Sequence, residues 1–151
     1  MALAARQSAV SLVMRRDFAQ PRETVFAAWI DPAMVARWWP GRYTMLSSEM
    51  DVRPGGAWRL TMAAGDQHPE IRWAGEYREV VAPERLVFTV TDRPEGDEYE
   101  LVTVEFTDLG DGRTRVDLAQ TGGHLTPEEY EAAGQGWGSF LDDLAARLAE
   151  A

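Results

Sequence analysis

The spacing of apolar positions along this chain changes character twice. Ser8 to Phe18 mixes β-branched and apolar residues with Arg15 and Arg16, which predicts a first strand. Gln20-Pro21 then opens a short helical pattern, PRETVFAAWI, with Val25, Ala28 and Trp29 on one face. Asp31-Pro32 restarts the chain as a second short helix carrying Met34, Val35, Trp38 and Trp39, and Pro40-Gly41 stops it. From Tyr43 the period falls to two. Trp58, Leu60 and Met62 alternate with Ala57, Arg59 and Thr61, the pattern of a half-buried strand. Arg53-Pro54-Gly55-Gly56 precedes it with the chemistry of a type II turn. Further strands are expected over Ile71–Val81, Leu86–Thr91, Tyr99–Thr107 and Arg113–Gln120, each bounded by Gly, Pro or Asp.

The last stretch, from Leu125 on, returns to a helical period. Thr126 is placed as N-cap, Pro127 at the first helical position, and Glu129 completes a capping box, with Leu125 and Tyr130 as a hydrophobic staple. Tyr130, Ala133, Trp137, Phe140, Leu141, Leu144 and Leu148 fall within an arc of about 100°, a core-facing stripe. Gly134, Gly136 and Gly138 interrupt it, each at about 1 kcal/mol relative to Ala. The expectation is that Gly134 and Gly138 let the helix edge approach the sheet or a ligand closely, so that Gly138→Ala lowers stability or binding.

Strand, two short helices, about six strands on short turns and one long amphipathic helix describe an α+β domain. Its consecutive strands form an antiparallel meander, and the long helix covers one face of the curved sheet. The whole chain, 1–151, is expected to be one domain. The predicted inward set runs from Trp58, Leu60, Met62, Trp73 and Tyr77 through Leu86, Phe88 and Val90 to Val102, Val104, Phe106, Val116 and Leu118. Arg59, Arg72, Glu76, Arg78, Glu105, Arg115 and Asp117 occupy the opposite face and read as cross-strand charge pairing.

Composition narrows the function more by exclusion than by assignment. The balance of 25 acidic to 15 basic residues gives a formal charge of −10, which argues against nucleic acid or anionic membrane as partner. Every basic residue is Arg, so a Schiff-base lysine is excluded. Without cysteine there is no thiol nucleophile, disulfide or thiolate metal site. No apolar run approaches the length of a membrane span, and the expected location is the cytoplasm.

Catalytic chemistry is sparse. His68, with Asp66 beside it, is the best acid–base candidate, in a polar loop where a solvated histidine is the commoner case. His124 precedes the last helix, and two distant histidines without cysteine make no metal-ligand spacing. The serines lie in no G-x-S-x-G context, and no glycine pair follows a strand and opens a helix as a phosphate loop does. The aromatic set offers more. Trp58, Met62, Trp73, Tyr77, Phe88, Trp137 and Phe140 are predicted to converge between sheet and helix, as a packed core or as cavity walls. Of Trp38 and Trp39, about 100° apart on a helix, one is expected to anchor the plug and the other to line an entrance.

Several motifs in order carry a resemblance. They are P-R-E-T-V-F-A-A-W-I-D-P at 21–32, R-W-W-P-G at 37–41, D-V-R-P-G-G-A-W-R at 51–59, G-E-Y-R-E-V at 75–80 and P-E-R-L-V-F-T at 83–89. G-W-x-x-x-L-x-x-L at 136–144 closes the series. The chain resembles the activator of heat-shock-protein-90 ATPase homologue (AHSA)-like family, within the START/Bet v-like superfamily called SRPBCC. That resemblance implies the helix-grip fold: a curved seven-stranded antiparallel sheet around a long C-terminal helix, with two short helices after the first strand. It also implies an apolar cavity between sheet and helix, and activities that range from hydrophobic ligand binding and polyketide cyclisation to co-chaperone action in stress response.

The function expected from residues and resemblance together is binding of a small apolar or aromatic molecule, without catalysis and without cofactor or metal. Trp39, Trp58, Met62, Trp73, Tyr77, Phe88, Trp137, Phe140, Leu141 and Leu144 are the candidate ligand contacts. The alternatives are a cyclase, dehydratase or hydrolase of the same fold relying on His68 and Asp66, and a chaperone-associated interaction module. A homodimer is expected from the size class of such domains and from no particular residue.

Overall fold

The computed structural model describes residues 11–39, 43–63, 70–123 and 125–150. Its elements run β1 (Leu12–Phe18), α1 (Arg22–Ile30), α2 (Pro32–Trp38), β2 (Thr44–Met50), β3 (Ala57–Ala63), β4 (Ile71–Val81), β5 (Arg85–Val90), β6 (Glu100–Gly110), β7 (Arg113–Thr121) and α3 (Pro127–Ala149). The seven strands form one antiparallel sheet in the order β1-β7-β6-β5-β4-β3-β2. A meander built on short turns gives that order directly, with β1 added beside β7. No helix among the described residues is long and apolar enough to cross a membrane.

Local chemistry sets the joints. Gly55 has φ +85° and Gly56 donates its N–H to the Arg53 carbonyl at 2.8 Å, the type II turn expected from Pro54-Gly55. The Asp31 side chain accepts from the Ala33 N–H at 3.0 Å and so starts α2, whose seven residues would not hold a helix alone. β4 is the strand where the sheet bends. Its first half pairs with β3 and its second with β5, with an irregularity between Tyr77 and Glu79. At that bend a Cβ on Gly75 would lie 1.8 Å from the Thr89 carbonyl oxygen, so only glycine allows the two backbones to approach.

The predicted inward residues are buried, apart from Trp73, which is half-buried near the open end of β4. On the opposite face cross-strand ion pairs form where the pattern placed charges, among them Arg85–Glu105 at 2.8 Å and Arg115–Asp17 at 2.8 Å. Exposed pairs of this kind each contribute a few tenths of a kcal/mol and fix register more than they stabilise.

Helix α3 begins as its sequence predicts. Thr126 Oγ1 accepts from the Glu129 N–H at 3.1 Å and the Glu129 carboxylate accepts from the Thr126 N–H at 2.8 Å. Tyr130, Trp137, Leu141, Leu144 and Leu148 are buried, and the helix packs chiefly against β1 and α2. The expected role of its glycines is corrected. A Cβ on Gly134 or Gly136 would meet nothing within 4 Å, and one on Gly138 would reach only Met14 Cε at 3.6 Å, an ordinary contact. The helix edge has room for methyl groups there, so close approach does not explain these glycines.

Candidate functional site

Period-two alternation in the strands and the two short helices together bring five aromatic residues to one volume. α1 supplies Trp29, α2 supplies Val35 and Trp39, and β2 supplies Met50. Trp58 and Leu60 of β3, Tyr77 of β4, and Leu86 and Phe88 of β5 form the floor. The rings interlock: Trp39 and Trp58 lie 5.7 Å apart, Trp58 meets Phe88 edge-on at 5.7 Å, and Tyr77 meets Phe88 at 6.4 Å. Outside the lining, Phe140 of α3 stacks on Trp39 at 5.6 Å and 25°.

The remaining free space is about 20 Å³, room for about one water molecule. Ligand pockets run to about 300–1,000 Å³, so the lining side chains fill this pocket almost completely. This departs from the expected cavity in place as well as size. The pocket lies between the sheet and the two short helices, with Trp29 and Trp39 separating it from α3. Of the candidate contacts, Trp39, Trp58, Tyr77 and Phe88 come together at its wall. Met62, Trp137, Phe140, Leu141 and Leu144 pack in the layers around it, and Trp73 sits further along β4. His68 and Asp66, like His124, lie outside the described residues.

Polar handling separates the tryptophans into two groups. Trp38 Nε1 donates to the Ala28 carbonyl at 2.8 Å, Trp58 Nε1 to the Thr89 carbonyl at 3.1 Å, and Trp137 Nε1 to Gln120 Oε1 at 2.8 Å. Those three indoles are pinned. Trp29, Trp39 and Trp73 each hold a buried Nε1–H with no acceptor among the described residues. Such a group forfeits about 1–3 kcal/mol relative to a satisfied one. Trp29 and Trp39 both line the pocket, and as residues they are 3% and 5% exposed. The pair at 38 and 39 thus divides as a helix requires: Trp38 anchors α2 on α1 and Trp39 faces the pocket. Burial, and next the Asp51 carboxylate, push the Tyr77 hydroxyl above its ordinary pKa, so it remains a neutral donor. It hydrogen-bonds to none of the described residues.

A second buried feature was not foreseen. Gln120 Nε2 donates to Glu100 Oε1 at 3.5 Å, while the Tyr130 hydroxyl bonds the Glu100 carboxylate and accepts the Gly123 N–H at 2.9 Å. Together with Trp137 this makes a continuous relay that ties α3 to β6 and β7. Strand parity carried the signal: Glu100 shares the inward register with Val102, Val104 and Phe106, and Gln120 with Val116 and Leu118. A Cβ on Gly122 would lie 2.1 Å from Glu100 Oε2, so the loop closes over the carboxylate only with glycine there.

Residues 19–149 match the family model described as activator of Hsp90 ATPase homolog 1-like protein. Among solved structures, a Chromobacterium violaceum protein is 27% identical with a TM-score of 0.77, over 90% of this chain and 95% of its own. An AHSA1-like protein of Aeromonas hydrophila is 27% identical with a TM-score of 0.73, over 92% of this chain and 93% of its own. A Plasmodium falciparum protein described as an HSP90 activator shares the fold at 22% identity and a TM-score of 0.73, over 93% of this chain and 95% of its own. Comparison with curated proteins finds no match. The family match spans both short helices, the bend in β4 and all of α3, and the chain belongs to the activator of Hsp90 ATPase homolog 1-like family.

Proposed function

We propose that this domain binds a small apolar or aromatic molecule in the aromatic pocket between the short helices and β2–β5, and that it does so without catalysis. The observation behind this reading is that two of the three indoles lining the pocket, Trp29 and Trp39, have no hydrogen-bond partner among the described residues, while the third, Trp58, is held by the Thr89 carbonyl. Trp29 and Trp39 are held by packing alone, so an incoming molecule displaces them without breaking a hydrogen bond. Burial of the ligand at about 25 cal/mol per Å² supplies the affinity. Trp39 is the natural one to yield, because its rear neighbour Phe140 is only half-buried and has room to follow.

Titration of the purified protein with naphthalene, followed by tryptophan fluorescence and thermal denaturation, tests the proposal. Saturable quenching with a rise in Tm is expected, because a ligand that binds only the folded state stabilises it. The quenching should weaken in Trp58→Ala, which removes the pocket floor, and persist in Leu148→Ala, which lies outside the pocket. No saturable signal, or equal loss in both variants, overturns the pocket as the site.

A further inference from the structure

We infer that the pocket selects neutral aromatic ligands bearing a hydrogen-bond acceptor, and rejects carboxylates of the same shape. This rests on the binding reading above and adds its polarity.

The open polar groups among the lining residues are two donor-only indoles and one hydroxyl. Trp29 and Trp39 contribute indole N–H donors that lack acceptors, and Tyr77 contributes a hydroxyl without a partner among the described residues. Among the described residues no charged side chain lines it. An indole N–H has no lone pair to offer, so only a ligand acceptor satisfies it. A carbonyl or ether oxygen seated there converts an orphaned donor into a bonded one, and the gain is larger in a dry, low-dielectric site than in water. Donor-only ligands, such as anilines in their cationic form, leave both indoles unsatisfied.

Anions are attracted by donors too, so charge must decide. A buried carboxylate without a cation loses more in desolvation than two neutral N–H groups return. A carboxylate acts in the same direction, since Asp51 lies close enough to Tyr77 to oppose negative charge at its oxygen. The chain as a whole carries −10 and repels an approaching anion before it arrives.

Three probes of one shape test this at pH 7: naphthalene, 2-acetonaphthone and 2-naphthoate, titrated by fluorescence and calorimetry. Acetonaphthone is expected to bind about tenfold more tightly than naphthalene, the return on one satisfied donor. Naphthoate is expected to bind at least about a hundredfold more weakly than acetonaphthone. In Trp39→Phe and in Trp29→Phe the ketone's advantage should shrink while naphthalene still binds. If naphthalene binds and the ketone binds no better, or naphthoate matches the ketone, the polarity inference falls and the pocket stands. If none of the three binds, both fall. The wild-type series needs no variant, so a poorly folding substitution cannot blunt the result.

Discussion

Two aromatic, buried regions lie side by side in this domain and treat polar groups in opposite ways. Under the N-terminal half of α3, Trp137, Gln120, Glu100, Tyr130 and the Gly123 N–H form an unbroken run of hydrogen bonds. Between the short helices and β2–β5, two indole N–H groups and a phenol belong to one pocket lining without such bonds among the described residues, beside Trp58, which is held by Thr89. Trp29 and Trp137 belong to different regions, yet their rings stack at 6.1 Å and 25°. A chain that satisfies a buried carboxylate with two partner groups has the means to satisfy an indole. Where it leaves donors open beside a pocket, the missing partner is best sought outside the chain.

The comparison breaks if the relay is dispensable. Gln120→Leu keeps the volume and removes both the acceptor of Trp137 and a donor to Glu100. Two groups are left wanting, one of them a carboxylate, so a loss of about 2–4 kcal/mol is expected from urea denaturation. A loss near the few tenths typical of surface changes would show that the relay is geometry without energy.

A paired substitution sharpens it. Trp137→Phe and Trp39→Phe delete the same atoms from two buried sites, but the first strands Gln120 Oε1 and the second removes a donor that had no partner. Trp137→Phe is therefore expected to be the more damaging by roughly 2 kcal/mol. Equal losses would mean that cavity formation dominates and that pinning matters little.

How far the sequence announced these two regions follows from which property each depends on. The sheet, the capping box at Thr126 and the buried stripe of α3 are periodic features, and periodicity is local information. Glu100 was legible in principle from strand parity, but the strand was predicted to begin one residue earlier and the inward set was read for apolar residues alone. The place of the pocket was not legible. That Trp29 and Trp39 screen it from α3 depends on where two short helices settle across a gap of sequence, which no window of residues contains. The glycines of α3 misled for a similar reason: a small residue permits close approach without requiring it.

The two tyrosines give the comparison a pH axis. Tyr130 spans Glu100 and the Gly123 N–H, so Tyr130→Phe is expected to lose about 1–2 kcal/mol at pH 7. Tyr77→Phe breaks no hydrogen bond to a described residue and should change stability by less than about 0.5 kcal/mol there. Both hydroxyls titrate above their ordinary value, Tyr77 through burial and then Asp51, Tyr130 through burial and then Glu100. A raised tyrosine pKa favours the folded state fully below the unfolded value of about 10 and progressively less as pH rises above it. Wild-type stability should therefore fall in alkali, and Tyr77→Phe should fall less steeply while matching wild type at neutrality. Parallel alkaline curves would show that Tyr77 ionises freely, as an exposed phenol does.

The smallest effect concerns the helix that touches both regions. Gly136 and Gly138 flank Trp137, the end of the relay, and lie just before Phe140, which backs Trp39. A methyl group at 138 meets only Met14 Cε at 3.6 Å, so Gly138→Ala should stabilise the fold by about 1 kcal/mol through helix propensity alone. Stability and binding then separate the two uses a glycine has. If naphthalene affinity is unchanged in the stabilised variant, the residue is a tolerated weakness and the regions are mechanically independent. If affinity falls while stability rises, the soft turn between Trp137 and Phe140 is what lets the unpinned region give way while the pinned one holds.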